Sequence, residues 1–119
     1  MSAKLTFRIA SPVLDPIMIY VIATIDLALG TREAFLAEFR KIIADVRAEA
    51  GCIEYGPAID ADNALPFQTK CGPDTFLVIE KWESMDALKA HAAAPHMAAY
   101  GAKTRDMIAS RVIHILAPA

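Results

Sequence analysis

Glu49-Ala50-Gly51-Cys52-Ile53-Glu54-Tyr55 marks the point where one regular element stops and the next begins. Gly51 supplies the left-handed backbone position on which helices commonly end. Cys52 to Tyr55 then opens a strand that Gly56-Pro57 limits or confines to a sheet edge. Ahead of this junction, apolar residues recur at Phe35, Phe39, Ile42, Ile43 and Val46. Those steps of four, three, one and three predict an amphipathic helix of about five turns. Glu33 suits the positive end of that helix, and Gly30-Thr31 reads as the turn and N-cap before it. Farther upstream, Ile17 to Leu27 is rich in Ile, Val, Tyr and Thr, the composition of a strand.

Downstream, Asp60 to Asp74 gathers Asp, Asn, Gly and two prolines around an isolated Phe67 and reads as a long hairpin loop. Loops of that length are often functional. Thr75 to Trp82 is a third strand, and in Glu80-Lys81-Trp82-Glu83-Ser84 it gives way to a short helix capped by Ser84. Apolar contacts of that helix are expected at Met85, Leu88 and Ala92. In His91-Ala92-Ala93-Ala94-Pro95-His96 the helix breaks, and Pro95 can start another, with Met97, Tyr100, Thr104 and Met107 on one stripe. A last strand follows at Arg111 to Leu116. The order β-α-β-β-α-β predicts a ferredoxin-like α+β domain with an antiparallel sheet over residues 17–119, preceded by an N-terminal extension of residues 1–16.

The 119 residues, 55% of them apolar, suit a single domain able to bury about two-thirds of its unfolded surface. Charged residues make up 22% and the formal net charge is −2, with Lys and Arg scattered. Neither nucleic acid nor an anionic membrane is therefore expected as a partner. Cys52 and Cys71 lack the spacing of a zinc site or a redox motif and read as free thiols in a reducing compartment. The apolar run Ile17 to Ile25 is bracketed by Asp15, Pro16 and Asp26 and is shorter than the roughly 20 residues of a membrane span. A cytoplasmic protein is expected.

An antiparallel sheet with one wet face alternates apolar with polar residues, and these strands do not. Ile17, Ile19, Val21, Ala23 and Ile25 point one way, and Met18, Tyr20 and Ile22 the other. Phe76 and Val78 oppose Leu77 and Ile79, while Val112 and His114 oppose Ile113 and Ile115. Helices of a β-α-β-β-α-β unit cover one face only, so a second copy packed on the other is expected, giving an isologous homodimer, with cover by residues 1–16 themselves as the alternative.

His91 is the candidate base, because imidazole titrates near neutral pH and this position follows Ala87 and Leu88 on the edge of the buried helix face. A histidine hydrogen-bonded at a helix end is the plainer alternative. His96, beside Pro95, is either a surface residue or part of the site wall. Glu80 and Trp82 share a strand face, which suits Trp82 to a flat wall for an aromatic ligand and Glu80 to orienting a polar group. Glu80 is otherwise a buried partner for Arg47 or Arg111. Tyr55 and Tyr100 can donate to a bound oxygen atom or serve as walls with hydroxyls at the rim. No Gly-rich phosphate loop, nucleophile elbow, metal-binding helix or haem-attachment motif is present, and no cofactor can be read from the chain.

The three stretches, in that order and behind a long amphipathic helix, resemble the antibiotic biosynthesis monooxygenase (ABM) domain, whose members include small quinol monooxygenases. The resemblance spans roughly Ile17 to Leu116. It implies a dimeric α+β barrel and cofactor-independent oxidation of a quinol or polycyclic phenol by dioxygen, with His91 as catalytic base and Trp82, Tyr55, His96, Tyr100 and Glu80 around the substrate. Haem-degrading members of the wider superfamily use an Asn on the first strand, and Ile17 to Ile25 has none. Two further readings stay open: processing of a small hydroxyketone signal, since autoinducer-2-processing relatives carry a similar His, spacer and Pro-His segment, and a non-catalytic binding dimer of stress-response type.

Overall fold

The computed structural model describes residues 17–62 and 65–119; the expected extension and two residues of the long loop lie outside the described residues. Strand β1 (Ile19–Leu27) leads to helix α1 (Arg32–Arg47), then β2 (Cys52–Ala58), β3 (Thr75–Trp82), helices α2 (Met85–Ala92) and α3 (Pro95–Thr104), a single 3-10 turn (Arg105–Met107) and β4 (Ile108–Leu116). The four strands form one antiparallel sheet in the order β2-β3-β1-β4, the ferredoxin-like arrangement. The second helical segment is split in two at Pro95, whose ring cannot continue a helix but fits its first turn.

Strand β1 lies at the sheet centre, with Val21 opposite Glu80 on β3 and Ile115 on β4. Ile19, Val21, Ala23, Ile25 and Leu27 are buried against the helices, the period of two that the sequence shows. From α1, Phe35, Leu36, Phe39, Ile42 and Val46 reach the same core, with Ile43 at its margin. The outer sheet face sets Ile22 beside Ile79 and His114, Thr24 beside Leu77 and Val112, and Tyr20 beside Lys81 and Leu116. It is apolar in the middle and polar at one corner, where Lys81 pairs with Glu54 at 3.6 Å. β2 runs straight through Gly56-Pro57, which a sheet edge permits because Pro lacks only a donor there.

Two expected helix ends differ in detail. Thr31 makes no side-chain cap; its hydroxyl donates instead to the Ala28 carbonyl at 2.7 Å, closing the preceding turn. α1 ends at Arg47 with Ala48 still right-handed, and Gly51 takes its positive φ of 84° later, in the turn that delivers the chain to β2. Ser84 caps α2 as expected, accepting from the Ala87 N–H at 3.1 Å. The long loop is gathered at its base by the Asp60 carboxylate, which accepts from the Cys71 and Gly72 N–H groups at 2.8 and 2.9 Å.

Gly51 is held twice over. Its φ disfavours any side chain, and a Cβ there would stand 2.6 Å from the Ala87 Cβ on α2. Gly51→Ala is expected to lower the unfolding free energy by about 2–4 kcal/mol, from the left-handed backbone and forced displacement of α2 together. Urea denaturation checks it, and a loss below about 1 kcal/mol would show that α2 does not need this close approach.

Candidate active site

Between the helices and the inner sheet face lies a cavity of about 720 Å³, within the range that takes a small organic ligand. Its floor is Val21, Ala23, Ile25 and Val78, and its helical wall includes Phe35, Phe39, Leu88, Met97 and Tyr100. Aromatic rings support that wall: Phe39 stacks on Tyr55 at 5.4 Å between centroids, and Tyr100 meets Phe35 and Phe39 edge-on. At one end Tyr55, Glu80 and His91 bring polar atoms into this apolar space.

His91 is the buried residue of α2, while Met85 and Ala92 are exposed and Leu88 is half-buried. The apolar contacts expected of this short helix are thus largely replaced by the imidazole itself. His91 packs its ring against Trp82 at 4.6 Å and meets Tyr55 edge-on at 5.5 Å. Its Nδ1–H donates to the Glu49 carboxylate, 3.0 Å from Oε2 and 3.2 Å from Oε1. His96 Nε2 approaches the same Oε2 at 2.7 Å. Side-chain exposure rises from 7% at His91 through 15% at Glu49 to 29% at His96, so the carboxylate joins a buried imidazole to one near solvent. Because a carboxylate only accepts, it fixes the His91 proton on Nδ1 and leaves Nε2 as the ring's basic nitrogen.

Glu80 is buried, and burial raises its carboxyl above the ordinary value. Two neighbours oppose this: the Trp82 indole N–H, which donates to Glu80 Oε1 at 2.8 Å, and His91. Burial pushes the Tyr55 hydroxyl up strongly, and Glu80 adds to that shift. Tyr100 is also raised by burial, with the Arg111 charge acting the other way. Both phenols therefore stay protonated as hydrogen-bond donors at neutral pH.

The residues singled out from sequence are brought together here, in roles that differ. Tyr55, Glu80, His91 and Tyr100 line the cavity. Trp82 does not: as the last residue of β3 it lies wholly buried beneath α2, where it props His91 and holds Glu80. Glu80 pairs with neither expected arginine; Arg47 instead donates from Nε to the Tyr55 carbonyl at 3.0 Å. His96 is outside the cavity wall and bound to Glu49. No described residue of the 60–74 loop lines the cavity. Glu49 was missed, although its position just past the negative end of α1, where a carboxylate is disfavoured, was a signal that other cations or donors compensate it.

A four-stranded antiparallel sheet in the order β2-β3-β1-β4, with helices on one face and a cavity lined by aromatic residues between, defines a ferredoxin-like α+β domain. The family model for antibiotic biosynthesis monooxygenase matches residues 18–103, and the chain belongs to that family. It is 39% identical over 103 residues to the Escherichia coli K12 protein named "Probable quinol monooxygenase YgiN", covering 85% of this chain and 98% of that one. Among solved structures, PA3566 from Pseudomonas aeruginosa superposes with a TM-score of 0.72 at 28% identity, covering 87% of this chain and 95% of that one. Rv0793 from Mycobacterium tuberculosis does so with a TM-score of 0.70 at 26% identity, covering 86% and 95%.

The buried Glu80–Trp82 bond carries a pH signature. With its folded pKa raised, Glu80 keeps its proton to higher pH than in the unfolded chain, so its burden on stability is absent at low pH and grows as pH rises through the folded value. Trp82→Phe removes the donor that relieves this burden. The variant is expected to lose about 2 kcal/mol more at about pH 8 than at about pH 4 relative to the parent, read from denaturation at both pH values; equal losses would show that the bond does not stabilise the charged carboxylate.

Proposed function

We propose that this chain is a cofactor-independent monooxygenase that oxidises a quinol or polycyclic phenol with dioxygen and works as a homodimer in the cytoplasm. The observation that carries the reading is the cavity-lining His91, clamped between Trp82 and Tyr55 with Nδ1 on Glu49. An imidazole so held has one nitrogen committed and one available, the arrangement of an oriented general base. The name carried by the Escherichia coli relative supports a quinol as substrate.

In this reading His91 Nε2 takes the proton of a bound aromatic hydroxyl, and Glu49 stabilises the imidazolium that results. The electron-rich anion is itself the reductant of dioxygen. A ring carbon bonds to one oxygen atom, its C–H bond and the O–O bond break, and the released ring proton and the proton held on His91 go to the departing oxygen. For a quinol, one oxygen atom enters the ring and the other leaves as water, the four electrons coming from the substrate. Tyr55 and Tyr100, kept protonated by burial, donate to oxygen atoms of the ligand. The apolar wall excludes water and so strengthens each of these interactions.

The outer sheet face supports the homodimer. Ile22, Leu77 and Ile79 stand there beside Val112 and Leu116, which are solvent-exposed large apolar residues, and no helix covers that side among the described residues. Back-to-back packing of two sheets buries this face and leaves the cavity, on the opposite face, open. Sedimentation is expected to give twice the 12.9 kDa chain mass; a stable monomer at micromolar concentration would exclude the dimer.

Oxygen uptake with a panel of reduced naphthoquinones tests the chemistry. His91→Ala is expected to lower kcat by about 100-fold or more, and Glu49→Gln by about tenfold with binding retained. Undiminished uptake in His91→Ala would overturn the reading. Product without oxygen uptake would favour isomerisation of the hydroxyketone type, and binding without product a non-catalytic role.

A further inference from the structure

The cavity is polar at both ends, and the two ends are of opposite character. Tyr55, Glu80 and His91 occupy one; Arg105 and Arg111 line the other. The register fixes their separation. Glu80 on β3 stands opposite Val21, and Arg111 on β4 stands opposite Ile25. These positions are four residues apart along β1, about 14 Å, and two strand spacings apart across the sheet, about 10 Å. The long arginine side chain and the groups at the other end shorten that span to the length of a fused-ring aromatic.

Neither guanidinium has a carboxylate within ion-pair distance among the described residues, where the ion pairs are those of Glu38, Glu49 and Glu54. Arg105 begins the 3-10 turn that follows α3, where a cation also suits the helix's negative end. Arg111 has no helix end beside it, and both arginines stand at the solvent-exposed mouth of the cavity. Arg111 lies on the inner sheet face, in the row that continues through Ile113 and Ile115 along the cavity, so the proposed back-to-back dimer leaves it free. Its charge is felt at the Tyr100 hydroxyl, another cavity group.

We propose that the substrate is an aromatic hydroxy compound carrying a carboxylate at the end remote from its reacting hydroxyl, and that Arg111, with Arg105, anchors this carboxylate. This rests on the function proposed above in taking the cavity as the substrate site. A guanidinium presents a planar fork of donors that matches a carboxylate. The far end, where Glu80 is buried and the Tyr55 hydroxyl is present, offers partners to a hydroxyl and no cationic fork for a carboxylate. One orientation results, with the carboxylate at the arginines and the hydroxyl at His91. The apolar floor between the ends takes the rings.

Fluorescence titration with three stable probes tests the assignment without turnover: 6-hydroxy-2-naphthoate, with hydroxyl and carboxylate at opposite ends; 3-hydroxy-2-naphthoate, with the two adjacent; and 2-naphthol, without a carboxylate. The parent is expected to bind the first about tenfold or more tighter than either of the others, with the preference shrinking as salt is raised. In Arg111→Gln combined with Arg105→Gln the ratio is expected to fall near one, and Arg111→Lys to retain part of it. Unchanged circular dichroism and melting temperature establish that the variants are folded. Equal binding of the three probes by the parent, or a preference that survives the double substitution, would overturn the anchor. The outcomes separate from those of the oxygenase reading: His91-dependent oxygen uptake with no charge preference removes the anchor alone, and a charge preference without oxygen uptake removes the oxygenase alone.

Discussion

Strand β1 is hydrogen-bonded along both edges and apolar on both faces, and the remaining structure is arranged to satisfy it. Its inner row, Ile19 to Leu27, provides the floor on which α1 packs and on which the cavity opens. Antiparallel pairing to β3 and β4 places Glu80 and Arg111 at fixed steps along that floor. At the strand's far end Asp26 accepts from the Thr75 hydroxyl at 2.7 Å and the Ser110 hydroxyl at 3.1 Å, joining both neighbours where the register shifts. A register slip of one residue would turn the whole inner row outward and dismantle the cavity with it.

On that frame, the site is assembled by groups that restrain one another. His91 comes from α2, Glu49 from the turn after α1, His96 from the start of α3 and Trp82 from the end of β3. Four segments converge because Gly51 lets α2 approach the turn closely enough for Glu49 to reach the imidazole. The result is a histidine whose ring plane, tautomer and depth are all set by neighbours. Glu80 shows the converse: a carboxylate kept in the same apolar space with one donor, so that burial governs its ionisation.

Much of the fold was legible in the chain because strands and helices leave periods of two and 3.6 in the apolar residues. The inner row of β1, the buried face of α1, the Ser84 cap and the break at Pro95 all follow from local rules. Where local rules misled, tertiary packing was the cause. Gly51 is needed less to end α1 than to admit α2, and Thr31 spends its hydroxyl on a turn. α2 buries a histidine where its sequence offered Met85 and Ala92.

By itself the sequence determined the elements, their order and the two-sided character of the sheet, since each depends on spacing along a single element or on its place in the β-α-β-β-α-β order. Only the tertiary structure decided that Trp82 stands behind His91 instead of facing the cavity, that Glu49 joins the two histidines, and that two exposed arginines line the opposite end. Glu49 lies 42 and 47 residues from the two histidines it joins, and all these distances depend on how helices settle on the sheet, which no local periodicity encodes.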